Sequence, residues 1–159
     1  MQKVGSWSLR VVVAVLAGWL ILRCQARPPV VPAAAAAPDN GINWLTDYDA
    51  ALKQARASNQ LVVVDFYTTW CGPCKMMEWT TFKDAAVRAR LAGFVPLKID
   101  ADQHRDIAMA YGVPGYPTML VIDATGKPIL GTVGLVPPDI YLEVLKKAEL
   151  KNAETNAVK

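Results

Sequence analysis

Residues 61–67 read LVVVDFY, a run of β-forming residues that is apolar at every position except Asp65. A half-exposed strand alternates apolar with polar residues. A nearly continuous apolar run of this length is the pattern of a strand buried on both faces. A sheet containing such a strand needs cover on both sides.

The flanking segments can supply it. Thr46 or Asp47 is placed to cap a helix running to about Ser58, with Tyr48, Ala51, Leu52 and Ala55 on one face and Asn59 and Gln60 as its break. A second helix is expected to start at residue 71, with a break around Thr80, Thr81 and Asp84 and a restart towards Leu91. Residues 94–99 read as a strand, and 104–111 as a short helix begun by His104 and stopped by Gly112. Residues 118–122 and 128–133 are two strands joined by Asp123, Ala124, Thr125 and Gly126, a hairpin pattern. Residues 138–152 close the series as a helix with Ile140, Leu142, Val144 and Leu145 directed inward. Alternation of helix and strand in the first half demands parallel crossovers, and the hairpin makes the last pair antiparallel. The expected fold is α/β, a mixed central sheet with helices on both faces. It occupies residues 41–153, enough chain for one core, with 154–159 as a tail.

The turn after the buried strand carries the chemistry. Cys71 and Cys74 enclose Gly72 and Pro73 at the expected helix start. Residues at i and i+3 of a helix lie one turn apart, which brings their Cα atoms to roughly 5–6 Å, within disulfide range. The first cysteine sits at the positive end of the helix dipole, near amides that lack helical partners. Both favour its thiolate, the nucleophilic form. Pro73 suits a first helical turn, and Gly72 leaves room for another backbone to approach. The third cysteine, Cys24, is remote, and the single histidine is His104. These are too few for four zinc ligands, and no flavin or nicotinamide motif is present, so no metal and no cofactor is expected.

The segment 64–75, VDFYTTWCGPCK, resembles the active-site segment of thioredoxins. The segment 111–118, YGVPGYPT, is similar to their substrate-facing loop, and Val133 with Gly134 resembles their glycine bend. The stretch 75–84, KMMEWTTFKD, resembles instead the C-terminal thioredoxin-like domain of membrane thiol–disulfide interchange reductases, which works outside the cytoplasmic membrane. The resemblance spans about 90 residues, from Leu61 to Leu150. It implies a thioredoxin-like fold, a redox-active Cys71–Cys74 disulfide, and Asp65 as the group that takes the Cys74 proton. It further implies that client proteins meet Trp70, Gly72, Pro73, Val113, Tyr116, Pro117 and Gly134.

Each of these residues has a plainer reading. Asp65 is either buried, with a raised pKa, or solvated at a strand position. Pro117 is cis if the resemblance holds, exposing the Tyr116 backbone to an extended partner, and otherwise a trans proline that opens a strand. Trp70 either shields the sulfurs or packs into the core. Met76, Met77 and Trp79 are expected to pack a helix face rather than serve a copper or cofactor site. Lys98 and Asp100 are expected at a solvated strand edge. Many thioredoxins place a lysine near the buried aspartate, two residues before the position of Lys98. Pro96 stands there, so Asp65 is expected to lack that partner.

The chain has 159 residues and a net charge of +3. Lys3, Arg10, Arg23 and Arg27 fall in an acid-free leader, leaving the remainder near neutral, with nothing that calls for nucleic acid. Residues 11–22 carry no polar side chain and follow Lys3 and Arg10. This reads as an export signal over 1–27, cleaved near Ala26, or as an uncleaved membrane anchor through 4–22. Lipid attachment at Cys24 is disfavoured by Arg23. Residues 28–40, rich in proline and alanine, read as a linker. The chain is thus expected to be a monomeric, extracytoplasmic protein-disulfide reductase. It would be fed by a transmembrane thiol donor and act on protein disulfides. A disulfide-forming oxidase and a non-redox holdase are the alternatives.

Overall fold

The structure is a computed structural model that describes residues 40–157. The expected signal or anchor, Cys24 and nearly all of the linker lie outside the described residues. Among the described residues no helix is long and apolar enough to cross a membrane.

The first helix, α1 (Tyr48–Ser58), is capped by the Asp47 side chain, which accepts from the Ala50 amide, and ends at Asn59 in the left-handed region. Then come β1 (Val62–Tyr67), α2 (Gly72–Trp79), a 3-10 turn (Thr81–Lys83) and α3 (Ala85–Leu91). Asp84 starts α3 by accepting from the amides of Ala86 and Val87. The second half holds β2 (Val95–Asp100), α4 (Arg105–Ala110), β3 (Thr118–Ile122), β4 (Pro128–Val133) and α5 (Pro138–Ala157).

The strands form one mixed sheet in the order β2-β1-β3-β4. β1 runs parallel to β2 and antiparallel to β3, and β3 and β4 form the expected hairpin. β1 is central, which is why it is apolar on both faces. Val62, Val64 and Phe66 meet α1 and α4 on one side. Val63 points to the other, towards Met77, Phe82, Val87 and Leu91 from α2, the 3-10 turn and α3, and Tyr141 and Leu145 from α5. The outer edge of β2 is partly covered by Leu45, whose amide donates to Pro96 O (2.9 Å) and whose carbonyl accepts from Lys98 N (2.8 Å).

Three expectations change. α5 buries Tyr141, Leu145 and Ala148 while Ile140 is exposed. The inward stripe has helical spacing i, i+4, i+7, which the expected set lacked. The helix also continues past Asn152 to Ala157, with no glycine or proline to stop it. Finally, Met77 packs in the core, but Met76 and Trp79 are exposed, and Lys83 lies 4.2 Å from the Trp79 ring centre.

Candidate active site

β1 ends at the sheet's C-terminal edge, and Thr68 turns the chain into α2 by accepting from the Cys71 amide (3.3 Å). Cys71 is the N-cap of α2 and is disulfide-bonded to Cys74, with Cα atoms 5.3 Å apart. The Cys74 amide donates to Cys71 Sγ at 3.1 Å. An unpaired helix-end donor is therefore aimed at the sulfur expected to become the thiolate. Both cysteines are buried, whereas Gly72 and Pro73 between them are exposed. A side chain built on Gly72 would meet nothing within 4 Å, so the turn faces open space.

The loop before β3 completes the surface. The Tyr116–Pro117 peptide is cis. Pro117 O accepts from the Gly134 amide (2.8 Å), which ties this loop to the bend after β4. Gly134 has a φ of +89°, a backbone region in which glycine alone is unstrained. Trp70 is 68% exposed and is therefore not a core residue. Its indole N–H donates to Asp102 Oδ2 (2.9 Å), and its ring stands edge-on to Tyr116, centroids 6.2 Å apart. Beside this pair runs a shallow groove of about 290 Å³, lined by Asp102, Arg105, Met109, Val113 and Tyr116 among others. Met109, 79% exposed, was not foreseen from the sequence, although an apolar residue on the outer face of a short helix was the available sign.

The strand before the cysteines, its neighbour β2 and the helix after them share a buried cluster of charges. Asp65 is buried, which settles its two readings. Its cross-strand partner on β2 is Lys98. Lys98 and Asp100 are buried rather than solvated. The expectation that Asp65 lacks a lysine is likewise corrected, because Lys98 Nζ itself lies 3.8 Å from Asp65 Oδ2. Parallel pairing of β1 and β2 puts the two side chains on the same face, while Pro96 pairs with Val63. Lys98 Nζ also donates to Glu78 Oε1 on α2, and its head lies 4.9 Å from the Tyr67 ring centre. Glu78 Oε2 accepts from Asn40 Nδ2 at 2.6 Å. Asp65 Oδ1 has no hydrogen-bond partner among the described residues.

This setting holds the Asp65 carboxyl at about 7. Burial is the main cause. Lys98 pulls the value down, and the charge of Glu78 pushes it back up. A carboxyl poised near neutrality can take up or release a proton without a large driving force either way. Glu78 escaped the sequence reading because a glutamate in a helix is ordinarily solvated. Yet it shares a helix face with Cys71 and Cys74, at spacings of seven and four. His104 stands at the N-cap of α4 and makes no side-chain capping bond.

Comparison with known proteins agrees with this geometry. A family model described as a thioredoxin-like domain matches residues 48–149. Thioredoxin of Borreliella burgdorferi is 33% identical over 100 residues, covering 63% of this chain and 83% of that protein. The thiol:disulfide interchange protein DsbD of Ralstonia nicotianae is 36% identical over 112 residues, 67% of this chain. The chain spans only 18% of that relative's length. Among solved structures, a thioredoxin from Thermus thermophilus superposes with a TM-score of 0.62 at 27% identity, covering 69% of this chain and 88% of its own. The chain belongs to the thioredoxin-like family of thiol–disulfide oxidoreductases, with Cys71 and Cys74 as its cysteine pair.

Proposed function

We propose that this chain is an extracytoplasmic protein-disulfide reductase. The observation that carries the chemistry is the Cys74 amide aimed at Cys71 Sγ at the start of α2, with Asp65 buried in the strand that leads into it. In the reduced protein, Cys71 attacks one sulfur of a client disulfide as thiolate. A new S–S bond forms, the client's S–S bond breaks, and the departing client sulfur takes up a proton. Cys74 then gives its proton to Asp65 or to water and attacks Cys71 Sγ. The Cys71–Cys74 bond forms and the client's second sulfur leaves as a thiol. Two electrons have passed to the client, and the oxidised pair must be recharged by a partner dithiol.

Client recognition is assigned to the surface around the pair. Trp70, Val113 and Tyr116 offer apolar contact, and Gly72, Pro73 and Gly134 allow close approach. The Tyr116 backbone beside Pro117 pairs with an extended client segment. Outside the membrane the natural donor is a transmembrane thiol carrier. The leader reading and the likeness of residues 75–84 to interchange reductases support that placement, and the Gly-Pro dipeptide supports the reducing direction.

Two measurements test the proposal. Cys74→Ser, expressed in cells, should accumulate mixed disulfides through Cys71, and their partners identify clients and donor. The reduction potential against glutathione should fall near thioredoxin's value of about −270 mV. A potential near −120 mV would mark a disulfide-forming oxidase instead.

A further inference from the structure

Lys98, which pairs with Asp65, and Glu78, which pairs with Lys98, are both held by one short segment that precedes α1. Leu45 fixes the backbone of Lys98 through the 2.8 Å bond to its amide. Asn40, buried although 38 residues away in sequence, donates to Glu78. Its amide orientation follows from two partners, because Oδ1 accepts from the Ile42 amide (3.0 Å) and so Nδ2 faces Glu78. Ile42 and Trp44 hold the segment down against the core, with the Trp44 ring edge-on to Phe82 at 5.1 Å. The contacts thus run without a break from Asn40 to Glu78, to Lys98, to Asp65.

We propose that Asn40 is a positioning residue of the active site, acting through Glu78 and Lys98 on the proton affinity of Asp65. The consequence for exchange rests on the role proposed above for Asp65. Glu78 is satisfied by two donors, one on each oxygen. Without Asn40, Lys98 alone balances the glutamate and is drawn towards it. Asp65 then meets more negative charge and less positive charge, and holds its proton to higher pH. The groups facing Asp65 are Lys98 from β2, Glu78 from α2, Tyr67 from β1 and Tyr141 from α5. Asn40 touches only the Glu78 arm of this set directly, so its effect should pass through Glu78.

The test is a carbon-13 NMR titration of the Asp65 carboxyl in the oxidised full-length chain, with the signal assigned by its loss in Asp65→Asn. Asn40→Ala should raise the Asp65 midpoint by about one pH unit. In a Glu78→Gln background the same substitution should add no shift. If Asn40→Ala does not fold, Asn40→Leu, with the same branching and the same number of side-chain heavy atoms but no donor, carries the same prediction. An unchanged midpoint, or an equal shift with and without Glu78, would overturn the proposal. The titration needs no client and no turnover, so its result stands apart from whether the protein proves to be a reductase.

Discussion

Asp65→Asn should make the oxidised protein more stable, increasingly so as pH rises. The carboxyl titrates near 3.8 in an unfolded chain and at about 7 in the fold. The fold therefore favours the protonated form. Between these values the native state holds a proton that the unfolded state has lost, so stability falls as pH rises. Asp65's contribution is complete below pH 4 and is lost as pH passes through 7. The separation of about three pH units corresponds to about 4 kcal/mol, with most of the change falling between pH 4 and 7. Asparagine has nearly the same shape and does not titrate, so subtracting the two proteins cancels every other ionisation. Urea denaturation of both oxidised proteins at pH 4, 6 and 8 measures the difference. The variant's advantage should grow by roughly 3–4 kcal/mol across that range. A difference independent of pH would refute the burial argument, and one that shrinks would mean that Lys98 dominates Asp65 and keeps it ionised.

Other consequences can be checked more simply. Gly131→Ala should cost about 1–3 kcal/mol in thermal or chemical unfolding, because its methyl would lie 2.3 Å from Leu120 Cδ2 and 2.8 Å from the Met119 carbonyl oxygen. Asp84→Ala removes an acceptor shared by two helix amides and should lower stability by about 1 kcal/mol without affecting disulfide exchange. Trp70→Ala should raise KM for a disulfide-bonded protein client about tenfold while leaving kcat and the melting temperature nearly unchanged, since the ring lies at the surface.

The features legible in the sequence were those encoded over a few neighbouring residues. The double-faced burial of β1 is written in an apolar run interrupted only by Asp65, the hairpin in the four residues from Asp123 to Gly126, and the reactive pair in its place between strand and helix. What escaped depends on register. Nothing local shows that Lys98 stands opposite Asp65, because that follows from how β1 and β2 align. Counting from Pro96 placed the lysine wrongly for the same reason. Glu78 and Asn40 are polar residues whose burial arises only when α2 and the segment before α1 close over the same spot. The misassigned faces of Ile140 and Trp79 have a simpler cause. α5 and α2 carry apolar residues on more than one face, so composition alone does not set the phase, whereas the spacing of Tyr141, Leu145 and Ala148 does.

The central claim is that Cys71 and Cys74 exchange disulfides as a unit, with Cys71 as the attacking sulfur. Insulin reduction with dithiothreitol as donor tests it most directly, comparing the full-length chain with Cys71→Ser and Cys74→Ser. The account predicts catalysis by the wild-type chain, none above background by Cys71→Ser, and a stalled mixed disulfide rather than turnover with Cys74→Ser. Full activity in Cys71→Ser, or none in the wild type, would contradict it.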